Sequence, residues 1–123
     1  MKKIKINLPI FKHEITVISL KKSDTFRQVK GCLKKIGVDE DLMNEIKENI
    51  ENNVYDGGIT LYQRSTFQFV VIIYPHTNKR TKLNTFNHEM HHCVKDIVDQ
   101  LDINDYETPA YLQGYLSEFI LDI

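Results

Sequence analysis

Residues 84–101 constrain the fold more than any other stretch, because they combine two opposite helical faces. Four apolar side chains recur at helical spacing and fall within about 60° of one another on a helical wheel: Met90, Val94, Ile97 and Leu101. This stripe lies roughly 180–240° from His88, and Thr85 or Asn84 offers an N-cap. We therefore expect a helix with one face on a hydrophobic core and its histidines on the other face.

The polar face of this helix contains the pattern His-Glu-x-x-His, from His88 to His92. Residues four apart lie one above the other on a helix, so both imidazoles can bind one zinc ion at about 2.0–2.1 Å. Glu89 lies about 100° round the helix from His88 and about 60° from His92. It is therefore beside the metal and is not a ligand, which is the position of a general base for a zinc-bound water.

A catalytic zinc usually has three protein ligands and leaves the fourth position to water. No histidine follows His92, so an acidic residue is expected as the third ligand. The candidates are Asp96, Asp99, Asp102, Asp105, Glu107 and Glu118. If helix 84–101 packs antiparallel to a last helix over 108–122, the two histidines lie opposite roughly residues 116–120, which favours Glu118.

The segment from His88 to Phe119 resembles the two-helix core of the gluzincins, the thermolysin-type zinc peptidases. In that family a second helix supplies a Glu ligand, and Glu107-Thr108-Pro109-Ala110-Tyr111 matches its Glu-x-x-(small)-x pattern. The segment also resembles small phage and mobile-element versions of these peptidases. The resemblance implies zinc as the cofactor, with His88, His92 and Glu107 as ligands and Glu89 as the base. In zincins the strand before the metal helix is often an exposed edge that adds the substrate as a further strand.

The remaining pattern predicts a single α+β domain over residues 1–123, with a small, mostly antiparallel sheet packed on helices. Alternating apolar residues predict two hairpins, pairing 2–10 with 14–20 and 59–63 with 67–74. Residues 67–74 are nearly all apolar and are expected to form the most buried strand. Helices are expected over about 24–36, capped by Ser23-Asp24; over 39–53, capped by Asp39; and from Thr108 to about Ile120.

Composition excludes several classes of partner. The 123 residues carry 16 basic and 17 acidic side chains, so no global field attracts nucleic acid or a membrane. Cys32 and Cys93 are far apart and show no disulfide framework, which favours a reducing, cytoplasmic setting. Lys5 and Pro9 interrupt any signal-peptide core, and no apolar run approaches the roughly 20 residues of a membrane span.

Several polar residues near the motif are open to more than one interpretation. Asp96, one turn beyond His92, either orients that histidine or is exposed. His76 is expected to be a surface loop residue, although it precedes the metal helix. Tyr111 and Tyr115 share a helix face with Glu118 and are either half-buried core residues or stabilisers of an oxyanion.

The function favoured by these patterns is a small zinc-dependent metallopeptidase that acts on a protein or peptide substrate. An alternative is a zincin-like scaffold with weak or no catalysis, acting as a phage or mobile-element binding or structural protein. The small size supports that alternative, because no second subdomain is available to wall a deep cleft. A third hypothesis is an α+β adaptor whose motif is accidental, and zinc content separates it from the other two.

Overall fold

The computed structural model describes all 123 residues and places helices on both faces of a four-stranded sheet. The elements along the chain are β1 (Lys2–Leu8), β2 (His13–Ser19), α1 (Arg27–Lys35), α2 (Glu40–Glu51), β3 (Gly58–Gln63), β4 (Gln68–Ile73), α3 (Lys79–Gln100) and α4 (Glu107–Ser117). Short 3-10 turns follow β3, at Arg64–Thr66, and α4, at Glu118–Asp122. The expected α+β class is confirmed. None of the helices combines the length and the apolar character needed to cross a membrane.

The sheet has the strand order β1-β2-β4-β3, so β1 and β3 are its edges. Both predicted hairpins are present, because β1 pairs antiparallel with β2 and β3 pairs antiparallel with β4. β2 and β4 pair in parallel at the centre, which joins the two hairpins into one mixed sheet. Five of the six residues of β4 are buried, in agreement with the prediction for this strand.

Side chains of the two central strands alternate between two cores, because successive residues of a strand point to opposite faces. One core joins Ile15, Val17, Phe69 and Val71 to α3 and α4, and the other joins Ile18, Val70 and Ile72 to α1 and α2. Three residues of the predicted stripe, Met90, Val94 and Ile97, pack on the first core, whereas Leu101 follows the end of α3 and is 40% exposed. This packing fixes which side of α3 remains open.

The first residue of the helix differs from the sequence expectation in α1, α3 and α4. Ser23-Asp24 does not cap α1: the Asp24 carboxylate accepts from Lys21 N at 2.7 Å, and the helix begins at Arg27. Asp39 caps α2 as predicted, accepting from Leu42 N at 2.8 Å. Aspartate also favours turns, and Asp24 bonds locally in the turn before α1 instead of capping the helix.

The metal-motif helix begins at Lys79, not near Asn84, because Asn78 caps it by accepting from Thr81 N at 2.9 Å. α4 begins at Glu107. Thr108 is not its cap; instead, the Asp105 carboxylate accepts a hydrogen bond from Thr108 N at 2.6 Å. It ends as an α-helix at Ser117, earlier than expected.

Candidate metal centre

His88 and His92 face each other on the open side of α3. Their Nε2 atoms are 3.1 Å apart and the rings are nearly perpendicular, at 86°. An ion about 2.05 Å from each nitrogen would give an N–metal–N angle of about 100°, close to the tetrahedral value. The ligand atoms of His88, Glu89 and His92 all lie within 4.8 Å of one another, and this group is compatible with a metal ion.

Glu89 is buried, with only 4% of its surface exposed, although both neighbouring ligand candidates are exposed. The Thr60 hydroxyl lies 3.2 Å from Glu89 Oε1 and 3.3 Å from the Glu89 carbonyl oxygen, and its proton is shared between them. A buried carboxylate without a hydrogen bond would be costly, so this donor helps to hold Glu89 in place. One carboxylate is thus fixed between strand β3 and helix α3, beside the two imidazoles.

Gly58, at the start of β3, permits the close approach of that strand to α3. A Cβ atom there would lie 2.9 Å from Thr85 Cγ2, 3.0 Å from the Ile72 carbonyl oxygen and 3.1 Å from Glu89 Cγ. The first distance is shorter than real Cβ contacts and the other two are tighter than most, so a larger residue would require its neighbours to shift. The position of Glu89 relative to the sheet therefore depends on the small size of residue 58.

An open groove of about 710 Å³ runs between α3 and β3. One wall is formed by β3 and the turn before it, from Asp56 to Thr60, and the other by the polar face of α3, from Asn84 to Asp96. Because β3 is an edge strand, its outer backbone groups have no partner strand. The groove therefore places the His-Glu-His group next to an unpaired strand edge.

Asp56 and His76 make hydrogen bonds beside the groove. Asp56 accepts from Thr77 N at 2.9 Å and from the hydroxyl groups of Thr77 and Thr81, and these bonds lower the pKa of its carboxyl. His76 is held in place: its Nδ1 donates to the Tyr74 carbonyl at 2.6 Å, and in the neutral ring its Nε2 accepts from Thr85 at 2.7 Å. His76 thus supports the wall.

Other potential ligands on α3 have different surroundings. Asp96 lines the groove one turn beyond His92; partial burial raises the pKa of its carboxyl, while the nearby His92 opposes that rise. His91 is exposed and stands outside the groove lining. Cys93 is fully buried in the core, and burial raises the pKa of its thiol well above the usual value, so it is not available as a thiolate ligand.

The structure brings together three of the four site residues that the sequence suggests, and it leaves Glu107 apart. Glu107 is at the first turn of α4, where it lines a separate surface hollow with Glu118, Tyr111 and Tyr115. Neither glutamate belongs to the His-Glu-His group. The reason is the packing of α4, whose Ser117 donates to Asn87 Oδ1 at 2.9 Å, so that its glutamate-bearing face turns away from the groove.

Sequence reasoning did not find Thr60 or Gly58, because their importance arises only when β3 docks against α3. The pair Gly57-Gly58 before a strand was one available signal, since glycine there often marks a close backbone approach. Comparisons with known protein families, with curated proteins and with solved structures found no match for this chain.

Proposed function

We propose that the protein is a zinc-dependent metallopeptidase in which His88 and His92 bind the metal and Glu89 is the general base. The observation that carries this proposal is the convergence of two Nε2 atoms, 3.1 Å apart, beside a buried and hydrogen-bonded carboxylate. Histidine nitrogen is a preferred zinc ligand, and the carboxylate has the position that a base needs.

The chain's own residues would divide the chemistry between them. Zinc, when bound, supplies the Lewis acidity that makes water a nucleophile near neutral pH. Glu89 takes the proton of the attacking water and later passes it to the leaving amine. Because Thr60 and the close packing at Gly58 hold Glu89 in place, little reorganisation is needed during that transfer.

The free edge of β3 supports a protein or peptide as the substrate. An extended segment that paired with this edge would satisfy backbone groups of β3 and lie along the groove. Its carbonyl groups would then pass close to His88, His92 and Glu89, which line the opposite wall. Affinity would come mainly from main-chain hydrogen bonds, since the groove has few apolar lining residues.

A third protein ligand is needed if the site follows the usual catalytic pattern. Asp96 lines the same groove as His92, whereas Glu107 and Glu118 line another hollow, and none of the three belongs to the His-Glu-His group. In this conformation Asp96 is better placed than either glutamate, and Glu107 stays a prediction from the family resemblance.

A catalytically inactive metal-binding scaffold is the second candidate function. The observation that favours it is the composition of the cluster, which contains only two imidazoles and the carboxylate expected to be the base. A site with two protein ligands holds a metal less firmly than one with three.

One experiment on wild type and Glu89→Gln separates these functions, using zinc content by elemental analysis and cleavage of unfolded casein. We expect about one zinc per chain in both proteins, and cleavage that falls by about 10²–10⁴-fold in the variant, because the proton acceptor is lost. Zinc in both proteins without cleavage by the wild type would favour the scaffold. Cleavage that is unchanged by Glu89→Gln, or the absence of zinc, would contradict the proposal.

A further inference from the structure

The outer face of α4 forms an exposed surface that the metal centre does not use. Tyr111 is 75% exposed and Tyr115 is 42% exposed, and they lie one turn apart on the side of α4 that carries Glu107 at its start and is followed by Glu118 in the 3-10 turn. Ile10, in the turn between β1 and β2, is 88% exposed beside them. We call these five residues the α4 surface.

Two adjoining hollows share the tyrosines of this surface. The first, of about 420 Å³, lies between the β1–β2 turn and α4, and its lining is mostly apolar, including Leu8, Phe11 and Leu112. The second lies between Glu107 and Glu118, with Ala110 and Gly114 as small lining residues. A Cβ atom at Gly114 would meet nothing within 4 Å, so space above the helix is open there. An apolar hollow therefore adjoins a hollow with an acid at each end.

α4 and the chain that flanks it, residues 96–123, carry charge of one sign, whereas the β1–β2 turn beside Ile10 contains the exposed Lys12. Every charged side chain after Lys95 is acidic. Neither Glu107 nor Glu118 takes part in any ion pair of the molecule. Glu107 and Glu118 therefore have no basic partner within the molecule, and a protein that covers them would bind more favourably if it contributed lysine or arginine.

We propose that the α4 surface binds an extended, lysine- or arginine-containing segment of another protein. An apolar side chain of that segment occupies the hollow beside Ile10, and basic side chains contact Glu107 and Glu118. These glutamates are 11 positions apart, about 16 Å along a helix, which an extended chain spans in about five residues. The faces of Tyr111 and Tyr115 add cation–π contacts. The proposal does not depend on the metal centre.

The test uses a fluorescein-labelled peptide, Gly-Lys-Ser-Leu-Leu-Ser-Lys-Gly, titrated with the full chain and followed by fluorescence anisotropy. We expect saturable binding in about 50 mM NaCl that weakens in about 300 mM NaCl, because exposed ion pairs are screened. A Glu107→Gln, Glu118→Gln double variant should bind roughly fivefold more weakly or worse, because two ion pairs are lost. The matched control is Asp99→Asn, Asp102→Asn, which removes two exposed charges elsewhere and should leave the affinity unchanged.

Three outcomes would overturn the proposal. The first is no binding at about 1 mM peptide, since even weak segment recognition gives millimolar affinity. The second is equal binding by wild type and the glutamate double variant, with circular dichroism showing both to be folded. The third is a concentration-dependent dimer in sedimentation experiments that the double variant abolishes, because a second copy of this chain would then occupy the α4 surface.

Discussion

α3 and α4 pack against each other on the same face of the sheet, yet the sequence predicts the grouping of side chains on α3 better than the position of those on α4. His88, Glu89 and His92 lie on a single helix, so their spacing alone brings them together. Glu107 could join them only if α4 turned its acidic face toward the groove, and that depends on how two helices pack. The contrast shows that sequence spacing predicts a group of ligands within one helix more reliably than a further ligand on a neighbouring helix.

The largest effect is expected from removing a ligand on α3. His88→Ala should abolish stoichiometric zinc binding, because a single imidazole, even with Asp96 as a further ligand, cannot hold the ion at micromolar concentration. The measurement is isothermal titration with zinc after removal of bound metal. His91→Ala is the control, since His91 is exposed on the same helix but outside the groove. Equal loss in both variants would mean that the spacing of the motif does not define the site.

The second prediction compares the acidic residues of the two helices. Asp96→Asn should weaken zinc binding by about 10–100-fold, as expected when a ligand or a residue that supports one is lost. Glu107→Gln should leave zinc affinity unchanged, because Glu107 lines the separate hollow on α4. The reverse result, with Glu107 required and Asp96 dispensable, would restore the ligand set of the gluzincins and imply that α4 moves when metal binds.

The third prediction contrasts Gly58, beside Glu89, with Gly114 on α4. Gly58→Ala should lower the free energy of unfolding by about 1–3 kcal/mol, because its Cβ meets backbone and side-chain atoms at 2.9–3.1 Å. Gly114→Ala should raise that free energy by up to about 1 kcal/mol, because alanine favours the helix and the space is open. Urea denaturation measures both. Destabilisation by Gly114→Ala as well would show that another part of the chain covers α4 at that position.

The smallest effect is expected from a histidine that lies on neither α3 nor α4. His13 is buried at the start of β2, and burial lowers the pKa of its imidazole, partly offset by its hydrogen bond to the Phe11 carbonyl. The unfolded chain therefore binds a proton as the pH falls through about 6.5, before the folded chain does, and stability decreases in that range. The free energy of unfolding of metal-free protein should fall less between pH 7 and pH 5 in His13→Gln than in wild type. An identical fall in both proteins would exclude His13 as a source.

Much of the fold could be predicted because the signals are local. The apolar stripe of α3, the alternation of β1 and β2 and the Asp39 cap each depend on neighbours within a few residues. The His-Glu-x-x-His group is of the same kind, since one helical turn decides its geometry.

The remaining features depend on contacts between distant segments. The parallel pairing of β2 with β4 requires the chain to cross through α1 and α2, which alternation within a strand cannot reveal. The choice of β3 as the free edge follows from that pairing. Thr60 reaches Glu89 only because this edge lies against α3. Glu107 as a ligand is a prediction from a family pattern, and such a pattern carries no information about the register between two helices.

The free edge of β3 has a consequence for the kind of target that this protein would select. A segment already folded into a helix or paired in a sheet has no backbone groups to offer, so it must first open. Under the proposed function, the cleavage rate of a folded target would then follow the population of its locally open form more than the residues around the bond. Two targets with the same sequence at the cut site would be processed at different rates if one opened more often. The protein would thus distinguish its targets by how often each one opens locally.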